Sequence, residues 1–152
     1  FGDMELYCRY AFLRGAVQLA VQPMLRIPTA SDFALGIGMP AQFRLGGAIR
    51  LDTGVELELV FGDNDHANLD LPLAINVNIG PVGFLGGRTG LLFYDFEEMA
   101  INLGMQGGLV VHRMVSLTAS VNFPYFLTTA GDDPVRPDVE IIMGAHIFVD
   151  LM

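Results

Sequence analysis

A chain of 152 residues has room for one domain, here taken as 1–152. Hydrophobic residues make up 52% and charged residues 16%, well below the roughly 25% charged of a soluble domain, yet no apolar run approaches the ~18–20 residues of a transmembrane helix. The net charge is -9, and the 8 basic residues are all arginine, which excludes the basic face that nucleic acid requires. The single cysteine, Cys8, excludes an internal disulfide and a cysteine-based zinc site.

The apolar residues recur with period two, the signature of strands with two unlike faces. Segments 4–12, 17–27 and 33–43 alternate first, though not cleanly. In 48–61 the odd positions are Ile49, Leu51, Thr53, Val55, Leu57, Leu59 and Phe61, against Arg50, Asp52, Gly54, Glu56 and Glu58. In 69–80 Leu69, Leu71, Leu73, Ile75, Val77 and Ile79 alternate with Asp70, Pro72, Ala74, Asn76, Asn78 and Gly80. Segment 85–93 is ambiguous, because Leu92 and Tyr94 share the parity of Arg88. Segments 99–111, 115–125 and 139–151 complete a set of nine, with Ile142 and Phe148 as exceptions in the last.

Most of these segments reach ten residues or more. Ordinary globular strands average ~5–6 residues, whereas a tilted strand crossing a bilayer needs ~9–11. Charge placement points the same way. Glu5, Arg9, Arg26, Arg44, Arg50, Asp52, Glu56, Glu58, Asp70, Arg88, His112, Glu140, His146 and Asp150 all fall on the polar parity. A charge facing the bilayer midplane costs ~2–4 kcal/mol, so lipid on the other side would enforce this exclusion.

Short connections are expected near 14–15, 44–47, 80–82 and 112–114, and longer acidic ones at 28–32, 62–68, 95–98 and 128–138. Phe33, Phe61, Phe93, Phe96 and Tyr125 sit at the long loops, and Phe12, Phe43 and Phe84 near the short turns, as two aromatic girdles would. If the long loops lie outside a cell, the first and last segments both run downward. An even strand number then needs a further strand, either one preceding Phe1 or one from another chain. The alternative is that 33–61, which keeps one parity throughout, is a single segment wrongly divided.

On these residues the chain resembles bacterial outer-membrane β-barrel (porin-like) proteins. The resemblance covers nearly the whole chain and is one of pattern, not of a diagnostic motif. Segment 139–151 is similar to that family's terminal strand, although the family usually ends in Phe and this chain ends Asp150-Leu151-Met152. The resemblance implies an all-β fold: an antiparallel up-and-down transmembrane barrel of about 8–10 strands in a bacterial outer membrane. Its partners would be the lipid bilayer and, in a larger assembly, other envelope proteins or a chain completing the barrel; no nucleic acid, cofactor or metal is expected.

The candidate interior residues are Arg9, Arg26, Arg50, Asp52, Glu56, Glu58, Asp70, Arg88, Glu140 and His146. In a small barrel they pair and plug it; in a wider one they line a wet passage and set its ion preference. With about ten strands the filled state is expected, because open channels belong to barrels of ~16–18 strands.

Catalysis has less support. His146 and Asp150 are ~13 Å apart in an extended strand, and Ser116, Ser120 and His112 follow no fixed-spacing motif, so the protein is not expected to be an enzyme. The acidic loops at 62–66 and at Asp132 and Asp133 offer oxygen ligands but lack EF-hand spacing. Gly86-Gly87-Arg88-Thr89-Gly90 has no helix after it and is no phosphate loop. The expected role is a structural, scaffold or narrow-pore barrel. The alternatives are a soluble lipocalin-like barrel with its apolar side inward, and an outer-membrane barrel enzyme acting on lipid.

Overall fold

The structure, a computed structural model, describes residues 4–29, 32–62, 65–112, 115–128 and 139–147. Among these residues there is no helix, and one antiparallel sheet holds β1 (Met4–Tyr7), β2 (Tyr10–Leu13), β3 (Val17–Ile27), β4 (Phe33–Gly38), β5 (Ala41–Leu45), β6 (Ile49–Thr53), β7 (Glu56–Phe61), β8 (His66–Ile79), β9 (Gly83–Tyr94), β10 (Glu98–His112), β11 (Val115–Thr128) and β12 (Glu140–Ile147).

Three pairs of these elements are single crossings of the sheet. β1 and β2 both pair with β3, Met4 opposite Ile27 and Tyr10 opposite Val21. β4 and β5 lie against β7 and β6 in one register, from Phe33 opposite Phe61 to Leu45 opposite Ile49. The division of 33–61 into two strands is therefore real, and its turn is the glycine pair Gly46-Gly47, with Gly46 at φ +79°. Proline and glycine explain the interruptions. Pro40 separates β4 from β5 and has no N–H for the ladder, and a side chain on the facing Gly54 would come within 3.1 Å of the Pro40 Cα.

The nine crossings follow one another around the sheet as a meander. Eight successive antiparallel pairings lead from β1 to β12. Eight is even, so the two edge crossings run in the same direction. The edges also approach each other, because the Tyr7 hydroxyl of β1 is hydrogen-bonded to the His146 ring of β12, with ring centroids 5.5 Å apart. The sheet is thus rolled up, although among the described residues no backbone ladder joins β12 to β1 or β2.

The polar parity is the covered one. Gln22, Asn76, Asn102 and Asn122 are buried, together with Ala20, Met24, Ala34, Val60, Ala74 and Ala100, all at even positions. Asn76 is fully enclosed at 0% exposure, whereas its odd-numbered neighbours Ile75 and Val77 are 56% and 51% exposed. Leu35, Ile37, Leu85, Met105, Leu109, Ile141 and Met143 are likewise exposed. A soluble sheet buries its apolar side. This sheet does the reverse.

Four expectations need correction. The connection expected at 62–68 is shorter, because His66, Ala67 and Asn68 already belong to β8, opposite Val60, Leu59 and Glu58. The connection at 95–98 is not a long loop: β9 and β10 are joined by residues 95–97 in a tight turn, with Tyr94 opposite Glu98 and positive φ at Asp95 and Phe96. Phe84 is not a girdle residue, since it shares the parity of Arg88 and its ring lies inside, 4.3 Å beneath the Arg50 guanidinium. Tyr125 is expected on the apolar face, but its hydroxyl meets that of inward-facing Tyr94 at 2.7 Å. A register shift around Pro124, between the pairs Ile101–Leu127 and Leu103–Phe123, turns it inward. Of the last segment only 139–147 is described, so Asp150 lies outside the described residues, as do Asp63, Asn64, Asp132 and Asp133.

Candidate functional site: the polar inner face

Period-two geometry delivers the charged side chains of every crossing to the same side. Curling then brings together residues from strands that are not neighbours. Two strands separated by a third are ~9.5 Å apart, within reach of long side chains only on the concave face. Arg26 of β3 forms an ion pair with Glu58 of β7, and Gln106 of β10 donates to Asn76 of β8 at 3.0 Å. Such contacts crowd the concave face.

Two charged layers can be distinguished. Nearer the short turns, Asp52 accepts from Arg50 Nε at 3.0 Å, from Gln42 at 3.1 Å and from Asn76 at 2.7 Å. The Arg50 guanidinium also pairs with Asp52 at 2.8 Å and covers the Phe84 ring. Among the described residues, the proton donors around this carboxylate come from β5, β6 and β8, and Asn76 passes the network on to β10.

The second layer is richer in acid. Glu56 stands directly opposite Asp70, a like-charge pair that by itself destabilises. Glu56 also feels the charges of Glu5, Glu58 and Arg9, and Asp70 that of Arg88. Glu58 is tied to Arg26 and accepts from Asn68 at 3.4 Å. Arg9 donates to Gln22 at 2.7 Å. Four carboxylates therefore share this region with the guanidinium groups of Arg9, Arg26 and Arg88.

Of the sequence candidates, Arg26, Arg50, Asp52, Glu56, Glu58, Asp70 and Arg88 are partly covered on this face. Arg9 and Glu140 also belong to it but are more exposed, because both lie beside the open seam between β12 and the first crossing. Glu140 accepts from Asn122 at 3.2 Å. His146 is held by Tyr7 and by the Thr118 hydroxyl at 3.1 Å, while Ser116 is its cross-strand partner. His112 is exposed at the end of β10. Among the described residues no three His, Cys, Asp or Glu side chains are grouped as metal ligands.

Sequence reasoning missed the amides that knit the layers together: Gln42, Asn76, Gln106 and Asn122. Their parity was the available signal, since amides recurring on one parity of strands whose other parity is Leu, Ile and Val, as at Asn68, Asn76 and Asn78 of β8, mark a polar environment. Small residues leave the room they need. A Cβ on Gly108 would come within 2.5 Å of the Phe84 ring, and one on Gly104 within 2.6 Å of the Asn122 amide oxygen. No protein-family model, curated protein or solved structure matches this chain.

Proposed function

We propose that this chain is a transmembrane β-barrel of a bacterial outer membrane, with a filled polar interior and a structural, scaffold or narrow-passage role. The observation that carries this reading is the inverted burial: uncharged Leu, Ile, Val and Met side chains face outward while Asn76 and the Asp52 network are enclosed. In water such a surface aggregates. In hydrocarbon each outward apolar group sits in a medium like itself, and the long ladders from β8 to β11 pair most of their backbone groups.

Closure of the barrel follows from strand direction. The two edges run the same way, so one strand running the opposite way between them would be antiparallel to both and would bring the crossings to an even number, as bacterial barrels have. The nine described crossings do not include that strand. The reach from Tyr7 to His146 resembles that from Tyr94 to Tyr125, which spans an intervening strand.

A filled interior is favoured over a wide channel by the contacts between next-nearest strands. Even so, several covered polar atoms, Arg26 Nε, Asp70 Oδ1 and Asn102 Oδ1 among them, have no protein partner, which suits a wet, narrow interior. A soluble lipocalin-like barrel would need its apolar side inward, the opposite of the arrangement here. The test is folding from urea with and without detergent or phospholipid vesicles, read by heat-shifted gel migration. Folding only in the presence of amphiphile is the expected result; a folded, monomeric protein in plain buffer would overturn the proposal. Conductance in a planar bilayer then separates a passage from a plug.

A further inference from the structure

At the end of the sheet that carries the turns at 14–16, 46–48 and 80–82, Gln42, Arg44, Gly46, Gly47, Arg50 and Asn78 surround an open recess. Arg44 and Arg50 are direct cross-strand partners, and two like charges so placed repel. The Arg50 charge is matched by Asp52 at 2.8 Å. Arg44 has no carboxylate partner among the described residues.

The surroundings supply no compensation. Asp52 is already bonded to Arg50, Gln42 and Asn76, and the other described carboxylates of the inner face, Glu5, Glu56, Glu58, Asp70, Glu98 and Glu140, lie toward the opposite end of their strands. Arg14 adds a further cation in the adjacent turn, which is held beside Arg44 by the bond from Arg44 N–H to the Ala16 carbonyl at 2.8 Å. In a chain of net charge -9, this rim carries a local surplus of positive charge. Its wall includes a glycine turn where a Cβ added at Gly46 or Gly47 would meet nothing within 4 Å, so the side of the turn that a side chain would cover is open to an anion.

We propose that this recess binds a phosphoryl oxyanion, either free phosphate or the phosphodiester of a lipid head, between the Arg44 and Arg50 guanidinium groups, with the Asn78 amide as a further donor. Planar guanidinium forks match the oxygen spacing of phosphate and bind it in paired hydrogen bonds. One bound anion also removes the Arg44–Arg50 repulsion. The site does not depend on the membrane reading, because it is defined by side chains that meet in the folded sheet whatever surrounds it.

The test is a calorimetric titration of the folded protein in phosphate-free octyl glucoside with inorganic phosphate, against sodium chloride of equal ionic strength. Phosphate should bind and chloride should not. Arg44→Gln should weaken binding by about tenfold or more, and Arg44→Lys, which keeps the charge and loses the fork, by less. Glu97→Gln, altered in the turn at the other end of the sheet, should change affinity by less than about threefold. Heat-shifted migration checks that each variant is folded. Mixed micelles containing phosphatidylglycerol identify the source: suppression of the phosphate titration assigns the recess to a lipid head, and an unchanged titration to free phosphate. The proposal is overturned if folded wild type gives no phosphate-specific heat, or if folded Arg44→Gln binds phosphate as tightly as wild type.

Discussion

Ile75 and Ile79 lie on the same face of β8, and each is 56% exposed. If water touched this face, replacing either by Arg would be nearly neutral, within about 0.5 kcal/mol as for most surface changes. If hydrocarbon touches it, depth decides. Ile79 is the last residue of β8, at the rim. Ile75 is four residues further in, about 10 Å deeper for a strand rising ~3.4 Å per residue and tilted ~45°, which approaches the middle of an apolar band ~25 Å tall. Sterics do not confuse the comparison, because the cross-strand neighbour of Ile75 on β9 is Gly87, with open space around it. Ile75→Arg should then cost ~2–4 kcal/mol and Ile79→Arg ~0–1 kcal/mol. The first figure corresponds to a loss of about 30- to 1,000-fold in the folding equilibrium. Urea titration of folding into phosphatidylcholine vesicles measures both. Equal, small effects for the two variants would refute the assignment of this face to lipid, whatever the fold.

Further outcomes follow from the interior contacts. Asp52→Ala leaves Arg50, Gln42 and Asn76 without their acceptor and should destabilise by ~1–3 kcal/mol; because Arg50 and Asp52 are partly covered, the double change with Arg50→Gln should cost clearly less than the sum of the single ones in the same urea assay. Gly108→Val, which drives a side chain into the Phe84 ring, should cost ~1–3 kcal/mol, and Phe84→Ala in the same chain should recover part of that loss. Tyr94→Phe removes the 2.7 Å bond to Tyr125 and should cost ~0.5–1.5 kcal/mol; no change in its unfolding midpoint would place Tyr125 back on the outer face. Asn76→Leu fills the same space without the hydrogen bonds and should destabilise by ~1–3 kcal/mol, whereas a stabilised variant would mean the interior is not a connected polar network.

The one-dimensional pattern was enough to sort residues into two faces. Period two in 48–61 and 69–80 reports the pleat directly, because successive side chains of a strand must point to opposite sides. The restriction of Arg26, Arg50, Asp52, Glu56, Glu58, Asp70 and Arg88 to one parity needed no tertiary information, whereas the split of 33–61 at Gly46-Gly47 stayed open in the sequence, because both halves keep one parity, and was decided by the pairing of β4 with β7 and β5 with β6. The count of nine crossings also implied edges that run the same way.

Alternation is symmetric, however, and does not say which face is enclosed; only the sense of curl does, and it encloses Asn76 and exposes Ile75. The partners inside were equally hidden. Arg26 meets Glu58, Asn76 meets Gln106 and Tyr7 meets His146 because of strand stagger and sheet curl, quantities set by the summed registers of many strands and carried by no single segment. The tight turn at 95–97 and the irregularity at Pro124 that carries Tyr125 inward depend on backbone angles and local ladder breaks, which residue type constrains only weakly.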